Sequence, residues 1–390
     1  MASQEDTSQS YRFGFVMEQN LGHRTHYRNL LRYVAEDATV APTWWPIEWD
    51  TPGPLRHVPL LGSNWSARSS LLAHATVNRA RRETQFDALF YHTQVTSLLS
   101  PRQAPMPVVI SLDATPINYD TVGAYYGHHA GGLVERVKYR LNRRAFHAAT
   151  ALVTWCQWAK DSLIADYGVP EEKITVIAPG VDLRAWPRRS GGDRARASMG
   201  RLPRLLFVGG DFERKGGKIL LECFSRYLQD DCELSIVTQS PISPAHNLRI
   251  YNNVTPNSDT LIQLYADADL FVFPTLADCA PLAVPEAMAA ALPVVTTQVG
   301  AIPEMVRNDE QGYTVAPGNV EELRIAIHRL MNSPHLRARL GDAGRALVER
   351  DYDAAKNVTR LLDVLKGVVS PAAVTSTAET PKPQPLAACP

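Results

Sequence analysis

The chain has 390 residues, 45% of them hydrophobic, with 40 basic and 40 acidic side chains. That length and apolar fraction suit two or three folded domains and exclude a wholly disordered chain. A formal net charge of zero argues against a dedicated nucleic-acid binder, and five scattered cysteines with no CxxC pair argue against a disulfide framework or a zinc site.

The first ten residues, MASQEDTSQS, are polar and acidic where an export signal would be basic and then apolar. Apolar strand candidates follow at 12–17, 88–92, 108–112, 151–155 and 174–177, with helix candidates at 25–35, 68–83, 133–148 and 157–167 between them. Trp44, Trp45 and Trp49 fall in a Pro-rich loop, where they either stack on a ligand face or cover a core. Residues 181–203 hold Ser190-Gly191-Gly192, are rich in Arg and Pro, and lack periodicity, so they read as a linker or exposed connection. The alternation then restarts, with strands at 204–208, 233–237, 247–251, 270–273, 294–296 and 312–315. Helices are expected at 218–227, 258–266, 283–290, 302–307, 320–330 and 335–350. Two α/β halves with parallel sheets result, and the Pro/Thr/Ala-rich residues 369–390 are expected to be a disordered tail.

The balanced total hides an asymmetry: residues 1–202 carry 23 Lys/Arg and 18 Asp/Glu, residues 203–390 carry 17 and 22. The most apolar window, 279–295, contains Pro281, Pro285, Glu286 and Pro293 and cannot form a membrane-spanning helix. A cytoplasmic protein is expected, with peripheral contact at the inner membrane face left open. The 133–148 segment would set Arg136, Lys138, Arg140, Arg143 and Arg144 beside Val134, Val137 and Leu141. Such a helix suits an anionic lipid or acidic acceptor, and equally suits ordinary packing with a solvated face.

Two stretches carry chemistry. Phe207-Val208-Gly209-Gly210-Asp211-Phe212-Glu213-Arg214-Lys215-Gly216-Gly217 is an apolar strand, a glycine turn with a basic pair, and a helix start. Glycine lets a backbone approach phosphate, free N–H groups at the helix start favour an anion, and Arg214 and Lys215 can hold a diphosphate. The plain alternative is a glycine turn with solvated charges. In the second stretch, 275–288, the strand ends at Pro274 and a helix begins near 282–285, with Glu286 in its first turn and Asp278 eight residues earlier. Glu286 either complements the helix dipole or joins Asp278 in accepting hydrogen bonds from ligand hydroxyls. Paired carboxylates also suggest glycoside hydrolysis, but a strand–loop–helix start fits anion binding better.

The segment from Asp278 to Val295, with Glu304-Met305-Val306 and Gly312-Tyr313, resembles the donor-site signature of retaining nucleotide-sugar glycosyltransferases of family 4. Asp278 and Glu286 match that family's E-x7-E pair, with Asp for the first Glu, and Gly209–Gly217 matches its G-x-x-x-x-x-K-G loop. The segment AKDSLIADYGVPEEKITVIAPGVDLRAW resembles the stretch that closes the family's first domain. Cys279 and Pro281 stand where the family often has Gly. The resemblance implies the GT-B fold: an acceptor domain over 1–180, a linker over 181–203, a donor domain over 204–350, and a helix over 351–368 returning to the first domain.

The resemblance also implies roles. Arg214 and Lys215 would hold the donor diphosphate, with Gly209 and Gly210 close by. Glu286 would bind ribose hydroxyls, and Asp278 those of the transferred sugar. The N–H groups of Leu282 and Ala283 would meet phosphate, and the base would lie near Val254. In the first domain, Gly22 allows close approach at the cleft, though the family has two or more glycines there. His23 or His26 would face the donor sugar, with a satisfied surface or core histidine as the plainer reading. Asp113, where the family often has His, would bind sugar hydroxyls or orient the acceptor, or simply accept turn N–H groups. The expected activity is retaining hexosyl transfer from a UDP- or GDP-linked sugar to a glycan, lipid-linked or small-molecule hydroxyl. No metal cofactor is expected, and no nucleic-acid partner. A nucleotide-sugar epimerase or a non-catalytic binding relative is the alternative; a dinucleotide-dependent dehydrogenase lacks its GxGxxG after either first strand.

Overall fold

The computed structural model describes residues 10–19, 22–48, 65–122, 132–186 and 190–369. Trp49 and the tail beyond Val369 lie outside the described residues, as do the side chains of Leu133 and Val134.

Among the described residues, twelve strands form two wholly parallel six-stranded sheets. The first contains β1 (Tyr11–Glu18), β2 (Val40–Ile47), β3 (Ala88–His92), β4 (Val108–Leu112), β5 (Ala151–Thr154) and β6 (Ile174–Val176), in the order β2-β1-β3-β4-β5-β6. The second contains β7 (Arg204–Val208), β8 (Glu233–Val237), β9 (Leu248–Tyr251), β10 (Leu270–Phe273), β11 (Val294–Thr297) and β12 (Gly312–Val315), in the order β12-β11-β10-β7-β8-β9. Helices connect successive strands except β8 and β9, which a loop joins, since parallel pairing requires a crossover. Central strands such as β3, β4 and β10 are buried along their whole length, which is why they read as unbroken apolar runs.

Each sheet reverses its winding at one place: between β1 and β3 in the first, between β7 and β10 in the second. The connections leave in opposite directions there, so a crevice opens beyond the C-terminal strand ends.

β2 is a strand that the sequence reading places in a loop. It sits at the sheet edge and pairs with β1 alone, Phe13 opposite Pro42 and Met17 opposite Pro46. Gln19 N donates to Ile47 O, so odd-numbered residues face β1 and both prolines turn their missing N–H to the free edge. Trp44 stacks on Phe15 at 4.3 Å and Trp45 meets Phe86 edge-on at 5.3 Å, so both indoles cover the core.

The described part of 181–203, residues 181–186 and 190–203, is not free chain either. Ser190 caps a helix over Gly191–Ala197 by accepting from Asp193 N at 3.1 Å. Arg194, buried on that helix, donates to the carbonyls of Ala266, Ala268 and Ala290 and ties it to the second domain. Gly191 is required because a Cβ there would stand 2.3 Å from Ala338 O.

The chain crosses between the domains twice at one point. Val181 N donates to Tyr352 O at 2.8 Å and Ala354 N to Val181 O at 3.0 Å. The Ala354–Val369 helix then packs Val358, Leu361, Leu362 and Leu365 onto the first domain's core beside Phe13 and Phe15. A Cβ on Gly180 would lie 2.2 Å from Ala354 Cα, a backbone contact that no rotamer can relieve. Gly180→Ala is therefore expected to destabilise the chain by about 1–3 kcal/mol, measured by urea unfolding; an unchanged midpoint would show that the crossing has slack.

Candidate active site

The second domain's crevice is built by two loops locked together. After β7, Gly209 N donates to Val237 O and the chain turns into the Gly217–Tyr227 helix through Gly216, at φ +77°. A Cβ on Gly216 would meet Pro274 O at 1.8 Å, so only glycine lets this turn lie against the end of β10. Gly210 is open, with nothing near the position a Cβ would take. The guanidinium of Arg214 is buried; its Nε donates to Asp211 Oδ2 at 2.9 Å and its NH1 to Ala277 O at 2.8 Å. Leu276 N returns a bond to Arg214 O at 2.9 Å. Arg214 is thus committed to stitching the glycine turn to the 275–278 loop.

Lys215, its neighbour, forms an ion pair with Asp278 Oδ2, and Asp278 Oδ1 accepts from Cys279 N at 3.1 Å. Burial pulls the Lys215 ammonium below its usual range, opposed by the Asp278 charge. Removing either partner would strand a buried charge, at a cost of about 3–5 kcal/mol. The Ala283–Ala289 helix starts just beyond, with Leu282 as its N-cap and no side-chain cap. Within the described residues the N–H groups of Leu282 and Ala283 make no hydrogen bond. Glu286, one turn in, is buried and accepts from Tyr265 OH at 3.1 Å. Burial pushes its carboxyl up to about 7, with the Tyr265 bond pulling the other way. Val254, in the loop after β9, is half-buried against the second domain's core.

The first domain presents different groups. Asp113, at the end of β4, is buried with Tyr119 OH 3.4 Å from each oxygen. Burial raises its carboxyl, the His23 charge lowers it, and the Asp278 charge raises it, which sets Asp113 across the cleft from the Lys215–Asp278 pair. Gly22 is the N-cap of the His23–Val34 helix at φ −61°, a conformation open to any residue. His26 turns inward, its ring 5.2 Å from Trp155, and burial holds it down at about 3. His23 is only partly buried and bonds through Nδ1 to Nε2 of His92 at 2.9 Å. Glu18, at the end of β1, is buried and accepts from the Thr93 hydroxyl.

A clasp holds the two domains face to face. Glu304, from the second domain, accepts from Gln157 N at 2.8 Å and Trp158 N at 2.7 Å, the free N–H groups at the start of the first domain's Gln157–Ala165 helix. Arg28 donates to Pro256 O at 3.0 Å across the same divide.

Residues 22–185 match the family model Glycosyltransferase Family 4, and residues 202–333 match the model Glycosyl transferases group 1. The chain thus carries a glycosyltransferase family 4 domain followed by a glycosyl transferases group 1 domain. Among its relatives is the MMP alpha-(1->4)-mannosyltransferase of Mycolicibacterium hassiacum, 29% identical over 216 residues, 53% of this chain and 51% of that one. The chain spans about half the length of the curated relatives it matches. In fold it is similar to sucrose-phosphate synthase from Thermosynechococcus elongatus, with a TM-score of 0.75 at 15% identity over 93% of this chain and 100% of that one. It is likewise similar to the Anabaena HepE protein in complex with UDP and glucose, with a TM-score of 0.64 at 15% identity over 92% and 100%. The two facing parallel sheets are the GT-B architecture.

Of the residues singled out, Lys215 and Asp278 pair directly and Asp113 lies near enough to feel the Asp278 charge, while Glu286 is buried against Tyr265 and Val254 packs on the second domain's core. Gly22 starts the helix that carries His23, and His26 lies beneath it. Sequence reasoning missed Glu18, Thr93, Tyr265 and the clasp of Glu304, because their partners are 21 to 147 positions away in the chain. His92 carried a signal: a polar residue ending a buried strand at the edge where ligands bind.

The raised Glu286 carboxyl has a consequence for stability. Between about pH 4.5 and 7 the folded chain holds a proton that the unfolded chain has released, so stability falls as pH rises through that window. The loss is complete above it and amounts to roughly 3 kcal/mol. Glu286→Gln is expected to flatten the fall, gaining stability at pH 8 and little at pH 4.5, as read by thermal melting across that range. Parallel wild-type and variant curves would show that Glu286 keeps an ordinary carboxyl.

Proposed function

We propose that the protein is a retaining glycosyltransferase that moves a hexose from a UDP- or GDP-linked sugar to an acceptor hydroxyl. The observation that carries this reading is the Lys215–Asp278 pair beside unpartnered helix N–H groups at the second domain's switch point. A diphosphate entering there offers Lys215 more negative charge than Asp278 does. The ammonium would move to it and free Asp278 for the hydroxyls of the transferred sugar. Arg214, already fixed by Asp211 and Ala277, would add positive charge without reorganising. Glu286 would accept from the ribose hydroxyls, and Leu282 and Ala283 would donate N–H groups to phosphate.

Transfer requires the bond from the sugar's anomeric carbon to the diphosphate oxygen to break as the acceptor oxygen bonds to that carbon. Charge develops on the leaving diphosphate, where Lys215 and the helix N–H groups stabilise it more than in the ground state. In the retaining course the acceptor attacks from the leaving-group side and its proton passes to the departing phosphate, so no protein base is assigned. The reading needs no metal cofactor. Asp113, on the facing domain, would orient the acceptor or hold the sugar.

A lipid-linked acceptor suits one surface feature. The Leu133–Ala148 helix exposes Val137 and Leu141 among Arg136, Arg140 and Arg144, a pattern that seats on anionic lipid. No helix among the described residues is long and apolar enough to cross a membrane. Pelleting with anionic vesicles should be lost in a Val137→Asp/Leu141→Asp double variant; equal pelleting would remove this surface from consideration.

A panel of UDP- and GDP-sugars, followed by nucleoside diphosphate release with and without glycan, lipid-linked and small-molecule acceptors, tests the reading. At least one donor should turn over faster with an acceptor present. Lys215→Gln should lower that rate at least about a hundredfold. Sugar conversion with no acceptor would point to an epimerase, and no release together with no donor binding by calorimetry would overturn the enzyme reading.

A further inference from the structure

The first domain's switch point, between β1 and β3, holds a cluster that the donor-site reading does not use. His23 opens the helix after β1 and His92 closes β3. Their rings meet nearly at right angles, 70° with centroids 4.8 Å apart, and Nδ1 of His23 lies 2.9 Å from Nε2 of His92. His92 is wholly buried, stacked on Trp155 at 17° and 5.5 Å, with the His26 ring 5.1 Å away on another side. Burial, with the charges of the neighbouring histidines, pushes both His92 and His26 far down, so each is a neutral imidazole with a single N–H.

The place of the His92 proton follows from what its two nitrogens meet. Nδ1 of His92 is buried with no hydrogen-bond partner. A proton there would be an orphaned buried N–H, among the costliest polar defects in a folded chain. A proton on Nε2 is used in the bond to His23 and leaves only a lone pair unmatched. Nδ1 of His23 must then be the acceptor, and the His23 proton stands on Nε2, at the far side of the ring. That atom makes no hydrogen bond within the described residues, and His23 is only partly buried.

The titratable groups around this ring are the neutral His92 and His26 and the carboxyls of Glu18 and Asp113. Glu18 is held by the hydroxyl of Thr93, a β-branched residue at φ +72° directly after His92. A non-glycine residue in that region is strained, and such strain persists where a site over-determines it.

We infer that His92 is a positioning residue which fixes neutral His23 in its Nε2–H form, so that His23 offers the cleft one hydrogen-bond donor in the neighbourhood of the Glu18 and Asp113 carboxylates. This set suits neutral neighbouring hydroxyls of the reacting sugar or its acceptor. One hydroxyl oxygen accepts from His23, and hydroxyl protons go to the carboxylates. The identity of that ligand rests on the glycosyl-transfer reading; the tautomer does not.

The test uses the full chain, uniformly labelled with nitrogen-15, and long-range proton–nitrogen spectra of its histidines at neutral pH. His23 is assigned by its loss in His23→Gln. The wild type should show His23 protonated on Nε2 alone. His92→Gln, whose amide N–H can stand where Nε2–H stood, should keep that pattern and keep turnover within about threefold. His92→Phe should bring His23 into exchange between its two neutral forms and lower turnover about tenfold. A wild-type His23 protonated on Nδ1, or equal losses in both His92 variants with the His23 signals unmoved, would overturn the inference. Should His92→Phe not fold, the wild-type and His92→Gln spectra still decide it. A wild type that turns over no nucleotide sugar would sink the transfer reading while leaving the tautomer tested.

Discussion

Every strand in a parallel sheet ends on the same edge, and this chain turns two such edges toward each other. That constraint sets what the rest of the structure can do. Where strand order reverses, between β1 and β3 and between β7 and β10, the loops diverge and leave crevices lined by strand ends and helix starts. The double crossing at Val181 and Ala354 joins the domains at one point, and the Glu304 carboxylate pins them at another. Asp113 and Asp278 can influence each other only because both devices hold the edges face to face.

The two crevices carry complementary chemistry. On the second domain, Lys215 and Asp278 form a buried pair next to free N–H groups, and Arg214 is spent on fixing the loops that hold them. Both charges of this pair are already largely desolvated, so an anion would compete with Asp278 for Lys215 rather than with bulk water. On the first domain, Glu18 and Asp113 are buried carboxylates whose basicity is raised by desolvation and lowered by the nearby His23. That surface suits hydroxyls. The proposed transfer of a sugar from a phosphate leaving group to a hydroxyl would use both surfaces, and neither domain holds them alone.

Local signals made much of this visible in the sequence. Buried parallel strands such as β3 and β10 appear as short apolar runs, and the glycine turn before the Gly217–Tyr227 helix appears because Gly216 must take φ +77° against Pro274. β2 escaped because Pro42 and Pro46 argue against a strand unless its free edge is known, and that edge is a property of the assembled sheet. The Gly191–Ala197 helix escaped because two glycines near its start look like loop, while the reason for Gly191 is the Ala338 carbonyl, 147 residues on.

The composition set out at the start has a different meaning once the fold is known. A zero net charge described neither crevice, because the working charges are a few buried groups whose environments differ. The sequence alone determined the alternation of strands and helices, the division into two halves, the glycine turn and the Asp278–Glu286 spacing, since each depends on neighbours within one turn or one strand. Tertiary structure alone decided that Arg214 is a structural tie and Lys215 the cation paired with Asp278, that His26 is buried and His23 open, and that Glu304 joins the domains. Burial and hydrogen bonding between residues far apart in the chain assign these roles, and no local pattern encodes them.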